Sequence, residues 1–368
     1  SVAEGFEKYA SKYRVDPQTG KNNYISVQAE DELAAVGMAI GANWNGARGF
    51  TATSGPGISL MSEFLGLAYF AEVPLVLFNI QRGGPSTGMP TRTQQSDILS
   101  CAYASHGDTK HVLLFPEDPQ ECFEFSAEAF NLAERLQTPV FVISDLDIGM
   151  NDWVTDKFEW DDEQKYDRGK VLKAEDLDQM DNFGRYLDVD DDGICYRTYP
   201  GTHPEKGAFF TRGTSHDEYA RYTENGDINE QTLTRLVKKF RTASELVPDP
   251  IINLSEKQGS SGVIFYGSTS AAMYEAKDIL NENNIEVDLM RIRSFPFNLD
   301  VWEFIENHDL IYVIEQNRDS QMRTLIMAEG GISAEKLRSL VWFNGDPIQA
   351  KFIAKKIYER ESQQALIT

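Results

Sequence analysis

Three groups of residues in the first hundred positions have the types and spacing to do chemistry. Glu30, Asp31 and Glu32 stand directly before the apolar run LAAVGMAIGANW, so a carboxylate opens a helix where the helix dipole is positive. That position suits a cap, and it equally suits a carboxylate presented to a ligand at a strand's C-terminal edge. Thr51 to Gly57, TATSGPG, reads as a strand end and a glycine-proline turn leading into a second helix. Such a turn lets backbone amides approach a ligand closely, with Gly55 and Gly57 as the points of approach, or it simply connects strand to helix. Arg82 ends the run PLVLFNIQ and precedes GGPSTGMP. Its fork of donors matches a carboxylate bidentately, against the plainer reading of a surface ion pair.

The continuous stretch from Gln28 to Asp97, QAEDELAAVGMAIGANWNGARGFTATSGPGISLMSEF followed by QRGGPSTGMPTRTQQSD, resembles the pyrimidine-binding domain of 2-oxoacid:ferredoxin oxidoreductases. Later blocks follow the alpha-type subunit of that family in order, and YRTYPGTHP is similar to its 2-oxoglutarate-type members. The resemblance implies that Glu32 is the glutamate that hydrogen-bonds the aminopyrimidine of thiamine diphosphate and favours its imino tautomer. It implies that Thr53, Ser54, Gly55, Pro56 and Gly57 pack near the cofactor. It makes Arg82 the anchor of the substrate's C1 carboxylate, with Ser86, Thr87, Thr91 and Arg92 as further polar contacts to the substrate's distal end or a partner. Arg291, Arg293 and Arg323 could reach coenzyme A phosphates, although surface charge is the plainer reading.

Other candidates carry less. His106, Gly107 and Asp108 suggest an acid-base pair or metal site, but sequence neighbours rarely point the same way, so a loop or subunit contact is the simpler reading. Asp188, Asp190, Asp192 and Gly193 copy the start of an EF-hand loop, yet its twelfth position is Tyr199 in place of the bidentate Glu. A noncanonical structural cation stays open there. Cys101, Cys122 and Cys195 lie far apart and cannot assemble a zinc ribbon or a four-cysteine cluster. No convincing GDG magnesium site occurs, and no metal-ligating residue is assigned in this chain.

The elements that must position these residues alternate. YISVQ, GFTAT, PLVLFNI, HVLLF and PVFVISD read as strands, separated by helical stretches apolar on most faces. This pattern predicts a doubly wound α/β domain with a parallel sheet over residues 1–150. Residues 151–258 turn acidic, with 17 Asp and Glu against 6 Lys and Arg between Asp145 and Asp192, and read as an extended solvated connector containing one helix near EQTLTRLVKKFRTASEL. Alternation returns with GVIFYG, IEVDLMRI, LIYVIE and LVWFNG, so residues 259–368 form a smaller α/β domain that resembles the transketolase C-terminal domain.

Bulk properties exclude several functions. Fifty-eight acidic against 35 basic residues give a net charge of -23, the wrong sign for nucleic-acid binding. No run approaches the roughly 18 apolar residues of a membrane span, so no membrane role is expected, and the cytoplasm is the expected compartment. The opening SVAEGFEKYASKY already reads as a helix without an initiator Met, and a substrate-touching threonine segment of the family would lie upstream of it, so the chain is expected to begin partway through a domain.

The resemblance implies an alpha subunit that oxidatively decarboxylates a 2-oxoacid, with 2-oxoglutarate favoured, using coenzyme A and reducing ferredoxin. Thiamine diphosphate would be shared with a beta subunit that carries magnesium and an iron-sulfur cluster, in a dimer of alpha-beta units. A noncatalytic assembly paralogue and a non-oxidative transketolase-like enzyme stand as alternatives.

Overall fold

A computed structural model describes residues 2–161, 163–255 and 261–365. Among the described residues the chain builds two five-stranded sheets. The first contains β1 (Phe50–Thr53), β2 (Leu75–Gln81), β3 (Val112–Leu114) and β4 (Pro139–Asp145), all parallel, in the spatial order β1-β2-β4-β3. The second contains β5 (Ile251–Asn253), β6 (Ser261–Tyr266), β7 (Asp288–Ile292), β9 (Leu310–Glu315) and β10 (Leu337–Val341), in the order β10-β9-β6-β7-β5, with β5 antiparallel. The two-residue strand β8 (Ser294–Phe295) crosses over and closes the first sheet, antiparallel to β3.

Near-continuous apolar runs form the central strands because both faces are covered. In β2, Leu75 and Leu77 face the helices Glu32–Trp44 and Gly55–Phe70, while Val76 and Phe78 face the helix Pro119–Leu136 and the end of the helix Gly226–Ser244. The doubly wound expectation holds. The first of these cores continues without a break into the second sheet through Ile264, Met290, Ile311 and Val313, so the two sheets share one apolar interior. Val263, Phe265, Leu289 and Ile314 cover the second sheet's other face with the helices Thr269–Glu282 and Ala350–Ala365.

One expected strand is absent. YISVQ makes no ladder, and Ile25 and Val27 are exposed. Alternation there satisfied the strand pattern, but a ladder also needs a backbone partner, and β1 pairs only with β2. The opening helix forms as Val2–Tyr13, and Phe6 packs edge-on against Phe50. Leu337–Val341 begins its strand three residues before the apolar run LVWFNG, and β5 adds a strand inside the stretch read as connector. The boundary expected at residue 258 lies outside the described residues.

The connector is acidic but docks through its bases. Arg185, Arg197 and Lys239 are buried, whereas Asp152, Asp156, Glu159 and Asp161 are exposed. Glu72 and Glu134 on the first domain receive these cations: Lys239 Nζ lies 2.9 Å from Glu72, and Arg168 Nε 2.8 Å and Arg197 Nη2 3.0 Å from Glu134.

Candidate active site

The C-terminal ends of the parallel strands place the turn after β1 beside the end of β2. Ser54 is extended (φ -131°, ψ 175°) and begins the helix Gly55–Phe70 without bonding its own helix through its side chain. Its Oγ instead accepts from Arg82 Nε at 3.0 Å. Pro56 sits in the first turn, where its missing N–H costs nothing. Gly57 is required by contact: a Cβ there would stand 1.9 Å from Thr53 Oγ1 and 2.9 Å from Glu32 Cγ. The turn therefore touches Glu32 at one residue and Arg82 at another.

Asp31 settles how the first helix is capped. Its side chain accepts from Ala34 N at 2.7 Å, in extended backbone geometry. Glu32, half-buried as the first helical residue, is thus not the cap. Its side chain lies against Gly57.

Sequence reasoning missed Asp97 and Asn79. Asp97 Oδ2 accepts from Asn79 Nδ2 at 3.1 Å, and Asp97 N donates to Gln81 Oε1 at 2.9 Å. A Cβ on Gly55 would lie 2.6 Å from Asp97 Oδ1. Burial pushes the Asp97 carboxyl up, while Asn79, the Arg82 charge and the Gly55 N–H pull it back. Asp97, Thr53 and Glu32 of the chain itself approach Gly55 and Gly57 closely. A signal existed in the sequence: Asn79 is a polar residue between the apolar Phe78 and Ile80 of the strand.

The loop after Arg82 folds back on itself. Gly83 N donates to Arg92 O at 2.7 Å and Met89 N to Gly83 O at 2.9 Å. Gly84 has φ +74°, and a Cβ on Gly88 would lie 2.9 Å from its Cα, so this reversal requires both glycines. Ser86, Thr87 and Thr91 are exposed on it. Arg92 reaches toward the second sheet's domain, 3.1 Å from Asp346, in an exposed pair of little energetic weight.

Other candidates resolve differently. Arg291 is neither a surface charge nor open to a phosphate: it is 1% exposed and paired with Glu121 at 2.6 Å and Glu117 at 3.1 Å, and Arg293 also binds Glu121. Arg323 donates to the carbonyls of Leu337 and Ala334. His106 is exposed, 3.5 Å from Glu63. In the Asp188–Gly193 loop, Lys170 holds Asp190 and Asp192, and Lys238 holds Asp188 and Asp191. Ammonium groups neutralise the carboxylates a cation would need. Among the described residues, no group of three or more His, Cys, Asp or Glu is arranged to hold a metal ion. Burial pushes the Cys122 and Cys195 thiols up to about 12, so neither is a ready nucleophile.

His111 was also missed. It is buried, its Nε2 2.9 Å from Ala104 O, and burial lowers it to about 4 against that hydrogen bond, so it stays neutral in the core.

A family model described as "Pyruvate flavodoxin/ferredoxin oxidoreductase, thiamine diP-bdg" matches residues 1–242. The chain is 35% identical over 342 residues to 2-oxoacid:ferredoxin oxidoreductase 1, subunit alpha, of Sulfurisphaera tokodaii, covering 90% of this chain and 52% of that one. It is 34% identical over 304 residues to the 2-oxoglutarate synthase subunit KorA of Methanothermobacter thermautotrophicus, covering 80% of this chain and 76% of that one. It resembles the solved 2-oxoglutarate:ferredoxin oxidoreductase from Magnetococcus marinus, which has 2-oxoglutarate, coenzyme A and succinyl-CoA bound, with a TM-score of 0.76 and 28% identity over 90% of this chain and 56% of that one. The chain spans about half the length of the first of these relatives and of the solved structure. With a turn that joins a half-buried helix-opening glutamate to a strand-end arginine, and with these matches, the chain belongs to the thiamine-diphosphate-binding family of 2-oxoacid:ferredoxin oxidoreductase alpha subunits.

Proposed function

We propose that the protein is the alpha subunit of an enzyme that oxidatively decarboxylates 2-oxoglutarate, with coenzyme A as acyl acceptor and ferredoxin as electron acceptor. One observation carries this reading: a single turn, Ser54 to Gly57, contacts Arg82 through Ser54 Oγ and Glu32 through Gly57. One turn thereby joins a carboxylate to a guanidinium fork that could receive a substrate carboxylate.

The residues present fit thiamine diphosphate. Asp31 takes over the capping role, leaving the Glu32 carboxylate to a ligand, and the wall beside it is small and close-packed at Gly57 and Thr53. Bound there, the cofactor supplies carbanion chemistry at the 2-oxo carbon. Glu32 holds a proton at the aminopyrimidine edge. Arg82, steadied by Ser54, holds the substrate's C1 carboxylate. Thr53, Ser54, Gly55 and Pro56 wall the cofactor, and Ser86, Thr87, Thr91 and Arg92 offer polar groups to the substrate's distal end. We assign magnesium, the diphosphate and an iron-sulfur cluster to a beta subunit, and place the complex, a dimer of alpha-beta units, in the cytoplasm. Among the described residues no helix is long and apolar enough to cross a membrane.

The preference for 2-oxoglutarate is supported by the relative named 2-oxoglutarate synthase and by the solved structure with 2-oxoglutarate bound. A panel of 2-oxoglutarate, pyruvate and branched 2-oxoacids, assayed on the two-subunit complex with coenzyme A and a low-potential viologen, tests it. Preferential thiamine-dependent viologen reduction with 2-oxoglutarate is expected. Equal rates across the panel remove the substrate assignment, and no turnover with any of them removes the enzyme reading.

A further inference from the structure

Five cations pair with two carboxylates, and a sixth lies beside them, where the connector meets the first domain. Glu72, 1% exposed, pairs with Arg235 and Lys239, and Glu134, 3% exposed, with Arg48, Arg168 and Arg197. The sixth, Arg185, is 2% exposed and donates to the backbone carbonyl of Glu72 through Nη2 at 2.9 Å. In a protein of net charge -23, this buried junction carries an excess of positive charge.

Hydrogen bonding leaves the same excess. Arg185 Nε and Nη1 and Arg197 Nε are buried without a hydrogen-bond partner among the described residues, although Arg185 lies over the Tyr186 and Phe209 rings and Arg197 over that of Tyr199. Both arginines line one cavity of about 10 Å³, whose wall also includes Glu72, itself paired with Arg235 and Lys239, together with Asn43, Trp44, Pro74 and Phe209. Burial, then the neighbouring cations Arg185 and Arg168, hold the Arg197 guanidinium below its usual value against the pull of Tyr199 and Glu134. Buried guanidinium donors need acceptors, and buried charge needs compensation.

We propose that this cavity is a binding site for a small inorganic anion, a halide such as chloride. Water would satisfy a donor but leave the charge uncompensated. At about 10 Å³ the space is too small for the five-atom oxyanions phosphate and sulfate and for organic carboxylates, which leaves a monatomic anion. The site ties the connector to the C-terminal end of the helix that Glu32 begins, because Asn43 and Trp44 belong to that helix. It is independent of the substrate assignment.

Thermal unfolding of the full-length protein in sodium chloride and in sodium gluconate, at equal ionic strength, tests the site. Chloride should raise the melting temperature by a few degrees and saturate, and Arg185→Gln should abolish that difference. Equal melting in both salts overturns the proposal, as does a chloride effect that survives in Arg185→Gln. Should that variant not fold, crystals of the unaltered protein grown in sodium bromide decide. An anomalous peak between Arg185 and Arg197 supports the site, and a water there overturns it.

Discussion

Arg82 Nε donates to Ser54 Oγ at 3.0 Å, and this bond joins the end of β2 to the turn that follows β1. Adjacent parallel strands make it possible, because Thr53 stands opposite Asn79 and both chains leave the sheet at the same edge. The serine begins its helix without a side-chain bond to that helix, and the arginine is held by a neutral partner while its charge also acts on the buried Asp97 carboxyl.

Replacing Arg82 should therefore weaken substrate binding before it harms the fold. Arg82→Lys keeps the charge but loses the planar fork, and a charge-assisted pair of about 1.5–3 kcal/mol corresponds to roughly 10–100-fold in kcat/KM. Steady-state kinetics with 2-oxoglutarate measure this, and an unchanged KM would remove Arg82 as the carboxylate anchor.

Glu32→Gln tests the other side of the turn. Asp31 still caps the helix, so circular dichroism and melting should stay near wild type. Turnover should fall by about 10²–10⁴-fold, the range for losing a proton-transfer group. Near wild-type 2-oxoacid oxidation would falsify the assignment.

Gly57→Ala should damage both stability and activity. Its methyl would collide with Thr53 Oγ1 and press on Glu32 Cγ, an overpacking cost of about 1–3 kcal/mol. Removing the obstructing hydroxyl in Thr53→Ala/Gly57→Ala should restore part of the lost melting temperature. If the double variant is no more stable than Gly57→Ala, the collision is not the cause.

Glu72 makes stability depend on acid. Desolvation raises its carboxyl, but Arg235 and Lys239 overcome this and hold it well below the ordinary value of 4.5. The two partners respond oppositely, Arg235 raised and Lys239 lowered by burial, and the paired guanidinium is the stronger tie because two of its nitrogens meet Glu72. A depressed folded value means the stabilisation is complete above the unfolded value and is lost as pH falls below it toward the folded one. Glu72→Gln should thus cost about 3–5 kcal/mol at neutral pH by stranding buried cations. Urea unfolding should show the gap between variant and wild type shrinking below pH 4.5, and a gap independent of pH would sink the assignment.

The sequence by itself determined the elements and most of the candidate chemistry. Apolar runs such as Leu75–Gln81 and Pro139–Asp145 admit burial on both faces, and the residue types at Glu32, Gly57 and Arg82 restrict what those positions can do. Only the tertiary structure decided partners. Ile25 and Val27 alternate as a strand should, yet they have no ladder, because pairing depends on where another backbone edge lies. Arg291 read as surface charge, but Glu117 and Glu121, far away in sequence, bury it. Asp97 could not be assigned because its neighbours Asn79 and Gly55 reach it only through the parallel order of β1 and β2 and the packing of the loop that returns across them. Local patterns are set by covalent spacing, whereas charge compensation and close approach depend on distances that exist only after the chain has folded.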